Sequence, residues 1–240
     1  MAFRNAQQSR VWIGITPAHA YTRSASVTAP TNMIDTTTLD KTARTFIPGT
    51  DTSTFQIAGP LDVDPAANGQ YDALSDIKGS TTPTPITFLP LGTDGGGWLI
   101  DGIETDISMM AGIDQTVDWS LTAQTTAVTD TNGVLLSNAG VVTVDGDGTT
   151  VDNGAGTTQG AAIHLHVTAF SGLTSDVIIV EQSTTGSFAG EETTLATFAT
   201  VTALTSERIV VSGTVARYLR VSDNVTGTGS VTRTVAISRR

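Results

Sequence analysis

Apolar and polar residues alternate with a period of two along most of this chain. The alternation is clearest in four places: Val11, Ile13 and Ile15; Phe55 and Ile57; Val117, Trp119 and Leu121; Ile163, Leu165 and Val167. Successive side chains of a strand point to opposite faces, so this pattern predicts half-buried β-strands. Thr and Val are abundant, and Gly and Pro interrupt the apolar runs. We therefore predict an all-β fold.

One short segment departs from the strand pattern. In residues 67–79 (ANGQYDALSDIKG), Tyr71, Leu74 and Ile77 fall on one helical stripe. Gly79 follows at the position where helices often end, because glycine adopts the left-handed conformation easily. We predict one short helix here.

Turn-forming residues dominate the middle of the chain. Residues 127–160 are rich in Thr, Gly, Asp and Asn, which favour turns for separate backbone reasons. We place a domain boundary here, between an N-terminal domain of residues 1–136 and a C-terminal domain of residues 137–240. The apolar pieces VLLS and VVTV could still be strands that open the second domain. Regularly spaced apolar segments follow, which predicts a C-terminal β-sandwich.

Composition narrows the protein class. The chain has 240 residues, of which 39% are hydrophobic and 15% charged, and its mean hydropathy is +0.07. It is thus too apolar and too weakly charged for a disordered protein. It has no cysteine, which excludes disulfides and thiolate metal sites. No apolar run reaches the roughly 18–20 residues of a membrane span, and the N-terminal residues lack the apolar core of a secretory signal. We expect a cytoplasmic product without membrane insertion.

Acidic residues are concentrated in one part of the chain. The formal net charge is −11, and residues 51–130 carry one lysine, Lys78, against twelve Asp and Glu. Residues 1–50 carry five Lys and Arg against two Asp, and residues 161–240 carry six of each sign. No segment has the basic surface of a tight nucleic-acid binder. We expect nucleic acid to be repelled.

A His-x-His pair is the strongest metal candidate. His164 and His166 would point to the same face of a strand, as some metal sites require. No third ligand is recognisable nearby, and the alternation with Ile163, Leu165 and Val167 predicts that both imidazoles face solvent. We therefore predict no metal site at these residues.

Other candidate sites have simpler interpretations as turns. Asp145, Asp147 and Asp152 lie in DGDGTTVDNG, which resembles a calcium loop but lacks the Glu that closes an EF-hand loop. Residues 93–98 (TDGGGW) open a strand and not a helix, so a hairpin is favoured over a phosphate site. The acid pairs Glu191/Glu192 and Asp62/Asp64 sit in Thr- and Gly-rich loops, and no Gly-x-Ser-x-Gly motif occurs. We predict no cofactor, no catalytic residue and no enzymatic activity.

Residues 30–60 contain a pattern that resembles one of a known protein family. PTNMIDTTTLDKTARTFIPG, followed by a Thr-rich strand, resembles a pattern found in tail tube (major tail) proteins of long-tailed, non-contractile bacteriophages. The matching residues are Asp35, Thr36, Thr37, Phe46, Ile47, Pro48 and Gly49. Residues 84–126 resemble the later half of the same domain, so the likeness covers about residues 8–127. It implies an N-terminal tail-tube β-sandwich or barrel.

The C-terminal domain resembles β-sandwich modules appended to some of these tail proteins. The likeness is carried by residues 217–239 (RYLRVSDNVTGTGSVTRTVAISR), two strands joined by a Gly-Thr-Gly turn. Carbohydrate-binding modules and discoidin-like domains contain similar ladders, so this segment alone does not define a function.

The resemblance implies a structural role in a virion tail. Six subunits would form a ring, and rings would stack into a tube through which the genome leaves the particle. Implied partners are further copies of the chain, a tape measure protein, and tail terminator or tip proteins, with assembly in the host cytoplasm. Genomic DNA would pass without specific binding, because an acidic wall repels it. Asp101, Asp106 and Asp118 are candidate lumen-lining residues.

The segment from Thr31 to Gly49 lacks clean alternation and is predicted to be a long loop. The resemblance favours contact with a neighbouring subunit, whereas an ordinary surface loop is the other interpretation. Ile34, Leu39 and Phe46 would be its apolar anchors. The candidate contact residues are Ile34, Asp35, Thr36, Thr37, Leu39, Phe46, Ile47, Pro48 and Gly49.

Two other functional classes compete with the tail tube. A capsid decoration protein would share the composition but not the N-terminal motif. A carbohydrate-binding surface module would need exposed aromatic side chains, yet aromatics make up only 5% of the chain and no tryptophan follows residue 137. We therefore rank both below a tail protein.

Overall fold

The computed structural model describes residues 6–38, 40–61, 74, 77–113 and 116–240. Strands account for most of them, so the predicted all-β fold is confirmed. Three short 3-10 helices, Ala6–Gln8, Ala18–Tyr21 and Gly92–Asp94, are also present. No helix in these ranges is long and apolar enough to cross a membrane.

Fifteen strands are numbered in chain order. They are β1 (Arg10–Ile13), β2 (Ser24–Thr28), β3 (Thr31–Asp35), β4 (Phe46–Asp51), β5 (Thr54–Pro60), β6 (Thr84–Leu89), β7 (Gly97–Met110), β8 (Asp118–Thr125), β9 (Asp130–Val142), β10 (Gly146–Asp147), β11 (Val151–Asp152), β12 (Ala161–Ser183), β13 (Thr193–Thr197), β14 (Thr205–Val211) and β15 (Tyr218–Arg239). The alternating segments around Val11, Phe55, Trp119 and Ile163 fall on β1, β5, β8 and β12, as predicted.

The first half of the chain forms an antiparallel sheet around one core. Its strands are paired in the order β1, β6, β7, β8, β5 and β2. Buried apolar side chains include Phe55, Ile57, Ile100, Trp119 and Leu121. The predicted hairpin at TDGGGW is confirmed, because β6 and β7 pair on either side of it.

The second half is organised by two long strands. β12 and β15 pair antiparallel from Ala161 opposite Arg239 to Ser183 opposite Tyr218, with bulges between Val167 and Ser175. β14 and β13 extend the sheet beside β12, while β9, β10 and β11 lie beside β15. This half has a core cluster of its own, centred on Ile163, Leu165 and Ile178.

Strand β9 connects the two halves. Its first residues pair with β7, where Leu99 lies opposite Asp130, and its later residues pair with β15, where Ile237 lies opposite Val134. The strand therefore runs without a break through residues 136 and 137, and the apolar piece VLLS belongs to it. A division into domains at this point stays a proposal.

The predicted helix is described only at its C-terminal end. Leu74 is buried, and the Lys78 amide donates to the Leu74 carbonyl oxygen at 3.2 Å, the spacing of a helical turn. Gly79 has φ +71°, the left-handed conformation expected after a helix. Tyr71 lies outside the described residues.

Candidate functional site

The segment predicted to be a loop is a β-hairpin. β3 and β4 form a separate two-stranded sheet in which Ile34 lies opposite Ile47 and Asp35 opposite Phe46. The Thr36 amide donates to the Thr45 carbonyl oxygen at 2.9 Å. The pattern hid these strands because apolar residues stand next to each other, at positions 33–34 and 46–47, and so face both sides. We call residues 31–51 the arm.

The arm exposes apolar side chains on both strands. Met33 is 52% exposed, Ile34 48%, Phe46 46% and Ile47 51%. Among the described residues, neither strand of the arm pairs with the main sheet. These side chains therefore lack the core that covers the apolar faces of the other strands.

The remaining candidate contact residues lie along the same hairpin. The Asp35 carboxylate accepts a hydrogen bond from the Thr37 amide at 2.9 Å, and hydrogen bonding to Thr37 lowers the pKa of Asp35. Thr36 is exposed, and Pro48 and Gly49 belong to β4. Leu39 lies outside the described residues.

A second exposed apolar patch lies where β7 ends and β8 begins. Met109 is 47% exposed, Met110 75%, Ile113 94% and Val117 41%. We call these four residues the tip. Sequence reasoning missed the tip, although the run MMAGI between two strands was the available signal. A patch of large apolar side chains at the end of a hairpin is typical of a contact surface.

The three candidate lumen acids have different surroundings. Asp106 is exposed. Asp118 forms an ion pair with Arg23 at 3.1 Å on the surface. Asp101 is largely buried and forms an ion pair at 3.4 Å with Arg208 of β14. The lumen role of these three residues stays a prediction. Of the three, only Asp106 has no ion pair with a described residue.

The expectation that His164 and His166 face solvent was wrong. His164 and His166 are both fully buried, because the face of β12 that carries them packs against β1 and β6 of the first half. Alternation shows that one face of a strand is apolar. It does not show whether a distant part of the chain covers the other face.

A hydrogen-bonded chain crosses this contact. The Thr87 hydroxyl lies 2.8 Å from Nε2 of His166 and 3.1 Å from Nδ1 of His164. Nδ1 of His166 lies 2.7 Å from the Gly14 carbonyl oxygen, which can only accept. His166 therefore donates to Gly14. With both imidazoles neutral, as burial favours, Nε2 of His166 accepts from the Thr87 hydroxyl, and the Thr87 oxygen accepts from His164.

Arg208 completes the polar contact. It lies opposite His164 across β12 and β14, and it pairs with Asp130 at 2.8 Å as well as with Asp101. Arg240 also pairs with Asp130, at 2.6 Å. The buried Asp130 carboxylate is thereby held between two guanidinium groups.

The acids of DGDGTTVDNG bind the chain itself. Asp145 accepts from the Val225 amide at 2.6 Å, and Asp147 accepts from the Ser222 hydroxyl at 2.8 Å. Asp152 pairs with Arg217, and this hydrogen bond lowers its pKa to about 2. Within the described ranges, no group of three or more His, Cys, Asp or Glu is placed to hold a metal ion.

The second half offers no aromatic sugar platform among its described residues. A surface cavity of about 730 Å³ is lined by Gln182, Glu191 and Arg217 among others, without an aromatic side chain. The guanidinium of Arg220 lies 4.4 Å from the centre of the Phe188 ring, and that of Arg217 lies 4.9 Å from the Tyr218 ring. Each arginine therefore occupies one face of its ring, where a sugar would otherwise stack.

Comparisons with known proteins find distant structural likeness only. No protein-family model and no curated protein matches the chain. It is similar to a chain of the virion of a native gene transfer agent particle, with 14% identity and a TM-score of 0.44 over 54% of this chain and 98% of that one.

Two further solved structures match over nearly the whole chain. The Dit protein of phage SPP1, from a hub adsorption apparatus, has 11% identity and a TM-score of 0.35 over 96% of this chain and 98% of its own. A chain of the activated phage p2 baseplate has 7% identity and a TM-score of 0.34 over 97% and 98%. All three values are too low for the likeness to carry an argument about function.

Proposed function

We propose that this chain is a structural, non-enzymatic subunit of a phage tail that assembles into stacked hexameric rings forming the tail tube. The observation that carries the proposal is the arm. A two-stranded hairpin is marginally stable by itself in water. The arm nevertheless carries Met33, Ile34, Phe46 and Ile47, each about half exposed.

A neighbouring subunit would cover these side chains. Fully burying one large apolar side chain stabilises by about 1.5–3 kcal/mol, so completing the burial of four half-exposed ones would contribute several kcal/mol. The residues that match the tail-protein pattern, from Asp35 to Gly49, lie on this same hairpin. The sequence resemblance and the exposed surface therefore support the same role.

The tip supports a head-to-tail arrangement of subunits. A contact that joins two different patches of the same chain generates rings when its rotation closes and filaments when it does not. The arm and the tip are two such patches on different strands. A ring that also stacks needs more than one contact surface, and this chain offers two.

Charge supports a conduit for DNA. The net charge of −11 gives a wall that repels the genome and lets it pass without specific binding. Of the three candidate acids we assign Asp106 to the lumen first, because its carboxylate is exposed and unpaired. A tape measure protein and terminator or tip proteins of the tail are proposed as further partners, in a virion assembled in the host cytoplasm.

Two rivals are disfavoured by specific features. A capsid decoration protein gives no reason for the tail-protein pattern on the arm. A carbohydrate-binding module needs open aromatic faces, whereas Phe188 and Tyr218 each have an arginine on one face.

Negative-stain electron microscopy and sedimentation of the concentrated protein test the proposal. The wild-type chain is expected to form six-fold rings or hollow tubes, and the variant with Ile34→Ser and Ile47→Ser is expected to stay monomeric. Val210→Ser is the matched control, because Val210 is 47% exposed on β14 and lies outside both patches. A wild-type chain that stays monomeric at every concentration contradicts the proposal, and a trimer that binds capsids but not tails would favour a decoration protein.

A further inference from the structure

The contact between the two halves is polar at its centre. We call it the joint, formed by His164, His166 and Arg208 on one side and by Trp12 and Thr87 on the other. The Trp12 and His166 rings are stacked, with centroids 6.2 Å apart. Apolar side chains usually fill such a contact, because buried polar groups stabilise only when all of them are paired.

The hydrogen bonds of the joint are satisfied with both imidazoles neutral. In that state Nδ1 of His166 donates to the Gly14 carbonyl oxygen, and Nε2 of His166 accepts from the Thr87 hydroxyl. His164 donates from Nδ1 to Thr87, so its lone pair is on Nε2. This Nε2 is buried and has no hydrogen-bond partner among the described residues.

A proton added to either ring would disrupt the joint. On His166 it would turn the acceptor into a second donor facing Thr87. On His164 it would create a buried N–H group without an acceptor, on the ring that lies opposite the Arg208 guanidinium. Burying such a charge costs several kcal/mol unless it is paired.

The surrounding charges do not compensate such a proton. On β14 and β7, Arg208 and Asp101 are paired with each other, and Asp130 at the start of β9 is held by Arg208 and Arg240. The residues of β15 opposite the two histidines are Ala236 and Thr234, and those facing them from β1 and β6 are Trp12 and Thr87. None of these four carries a charge.

His19 is a further titratable group next to the joint. Its ring packs edge-on against Trp12 with centroids 5.2 Å apart, and its Nδ1 lies 3.1 Å from the Val11 carbonyl oxygen. His19 is only half buried. It can therefore take up a proton from solvent without the joint opening.

We propose that the joint is an acid-operated latch: protonation of His164 and His166 releases the second half from β1 and β6 while the strands of both halves stay folded. Each half has its own core cluster, so neither needs the joint for its internal packing. β12 also keeps Ile163, Leu165 and Val167 in the core of the second half. Strand β9 would remain as the connection between the halves. The inference does not depend on the proposed tail function.

The direction of the pH effect follows from burial. Burial lowers the pKa of His166 to about 4, and burial, His166 and Arg208 together lower the pKa of His164 well below its usual value. A released histidine has the ordinary pKa of about 6.5 and binds protons more readily than the buried one. The latched state is thus fully favoured above pH 6.5 and loses stability as the pH falls from 6.5 towards 4.

Fluorescence energy transfer tests the latch in the full chain. Because the chain has no cysteine, dyes can be attached at Thr82→Cys and Thr202→Cys, two exposed positions in different halves. Thr82 lies two residues before Thr84, and Thr202 lies four residues before Ser206. Thr84 and Ser206 both lie beside Gly14, so the two dyes are close while the joint is closed. Nanomolar protein avoids self-assembly. Energy transfer is expected to fall as the pH is lowered from 6.5 to 4. The equilibrium constant for opening of the joint should rise about tenfold per pH unit for each histidine that takes up a proton.

Two variants separate the latch from other acid effects. His164→Asn with His166→Asn retains a side-chain donor at each position but cannot be protonated, so its transfer should not change over this pH range. His19→Gln is the control and should behave like the wild type. Unchanged transfer in the wild type overturns the proposal. A fall in energy transfer that coincides with loss of the strand signal in circular dichroism also overturns the proposal, because it would report global unfolding.

An NMR titration keeps the test valid if the double histidine variant misfolds. It uses the variant with Ile34→Ser and Ile47→Ser, which retains both histidines and is expected to stay monomeric at the concentration that NMR needs. The Cε1–H signals of His164 and His166 should show no titration near pH 6.5 while energy transfer stays high, and should change together with its fall. Independent titration of both signals near pH 6.5 at constant transfer would refute the latch.

Discussion

Arg233 forms a buried bidentate ion pair with Asp223, which lies ten residues earlier on the same strand. The guanidinium Nε lies 2.6 Å from Oδ1 of Asp223, and the two side chains are 2% and 6% exposed. Residues ten positions apart on a straight strand would be too far apart to touch. The pairing of β15 with β12 contains bulges between Asp223 and Arg233, and bulges bend a strand, which lets the two side chains meet. A fully buried carboxylate, Asp176, also lies within electrostatic range of this pair.

Removing this guanidinium should strongly destabilise the second half. Arg233→Met would leave Asp223 and Asp176 buried without a countercharge, and such losses cost about 3–5 kcal/mol. Urea unfolding measures the change. Arg217→Met is the control, because its ion pair with Asp152 is about half exposed and screened by solvent, so a far smaller loss is expected. Equal losses in the two variants would contradict the prediction.

Asp176 should make the protein less stable as the pH rises. Burial, together with the charge of Asp223, raises the pKa of Asp176 to about 6. The folded state therefore favours the neutral carboxyl, and stability present below pH 3.8 is lost as the pH rises towards 6. Asp176→Asn stays neutral at all pH values and should be more stable at pH 7.5 by about 2–3 kcal/mol.

The difference between the wild type and Asp176→Asn should disappear near pH 3.5, where both side chains are neutral. Urea unfolding of the two proteins at both pH values measures this, and the histidines cancel because both proteins contain them. A difference of the same size at both pH values would show that titration of Asp176 is not its cause.

Of the acids proposed from sequence to line the lumen, Asp101 should contribute to the stability of the fold and Asp106 should not. Asp101→Asn weakens a largely buried ion pair with Arg208 and should lower the free energy of unfolding by about 1–2 kcal/mol. Asp106→Asn, five residues further along β7, removes an exposed carboxylate and should leave stability nearly unchanged. Chemical denaturation of the two variants is the measurement, and a larger loss for Asp106→Asn would refute this assignment.

Two phenylalanines on strands that are consecutive in the chain should respond differently to truncation. Phe55 of β5 is fully buried, so Phe55→Ala should cost about 3–5 kcal/mol of stability. Phe46 of the arm is 46% exposed, so Phe46→Ala should change monomer stability by no more than about 0.5 kcal/mol while it weakens assembly. Thermal unfolding at low concentration and sedimentation at high concentration measure the two effects. A large stability loss for Phe46→Ala would mean that the arm packs on its own subunit.

Local sequence features were sufficient for much of the fold. Alternation at Phe55 and Ile57 and at Trp119 and Leu121 predicted strands with the correct buried face. Gly79 has the left-handed conformation that was expected of it. These features depend on a residue and its near neighbours, which is why a pattern along the chain contains them.

Candidate surfaces were harder to predict. The arm was expected at the right residues but as a loop, because adjacent apolar residues on β3 and β4 break the alternation. The tip was missed, since exposure of Met110 and Ile113 depends on what does not pack against them.

The sequence by itself determined the all-β class, the main strands and the acidic middle of the chain, because periodicity, turn residues and charge are local properties. Only the tertiary structure decided that His164 and His166 are buried. Their environment is set by Thr87, 77 residues from His164, and by Gly14, 152 residues from His166. It also decided that Asp101 pairs with Arg208, 107 residues away. Alternation assigns a residue to a face of its strand, but burial of that face depends on which distant strand packs against it.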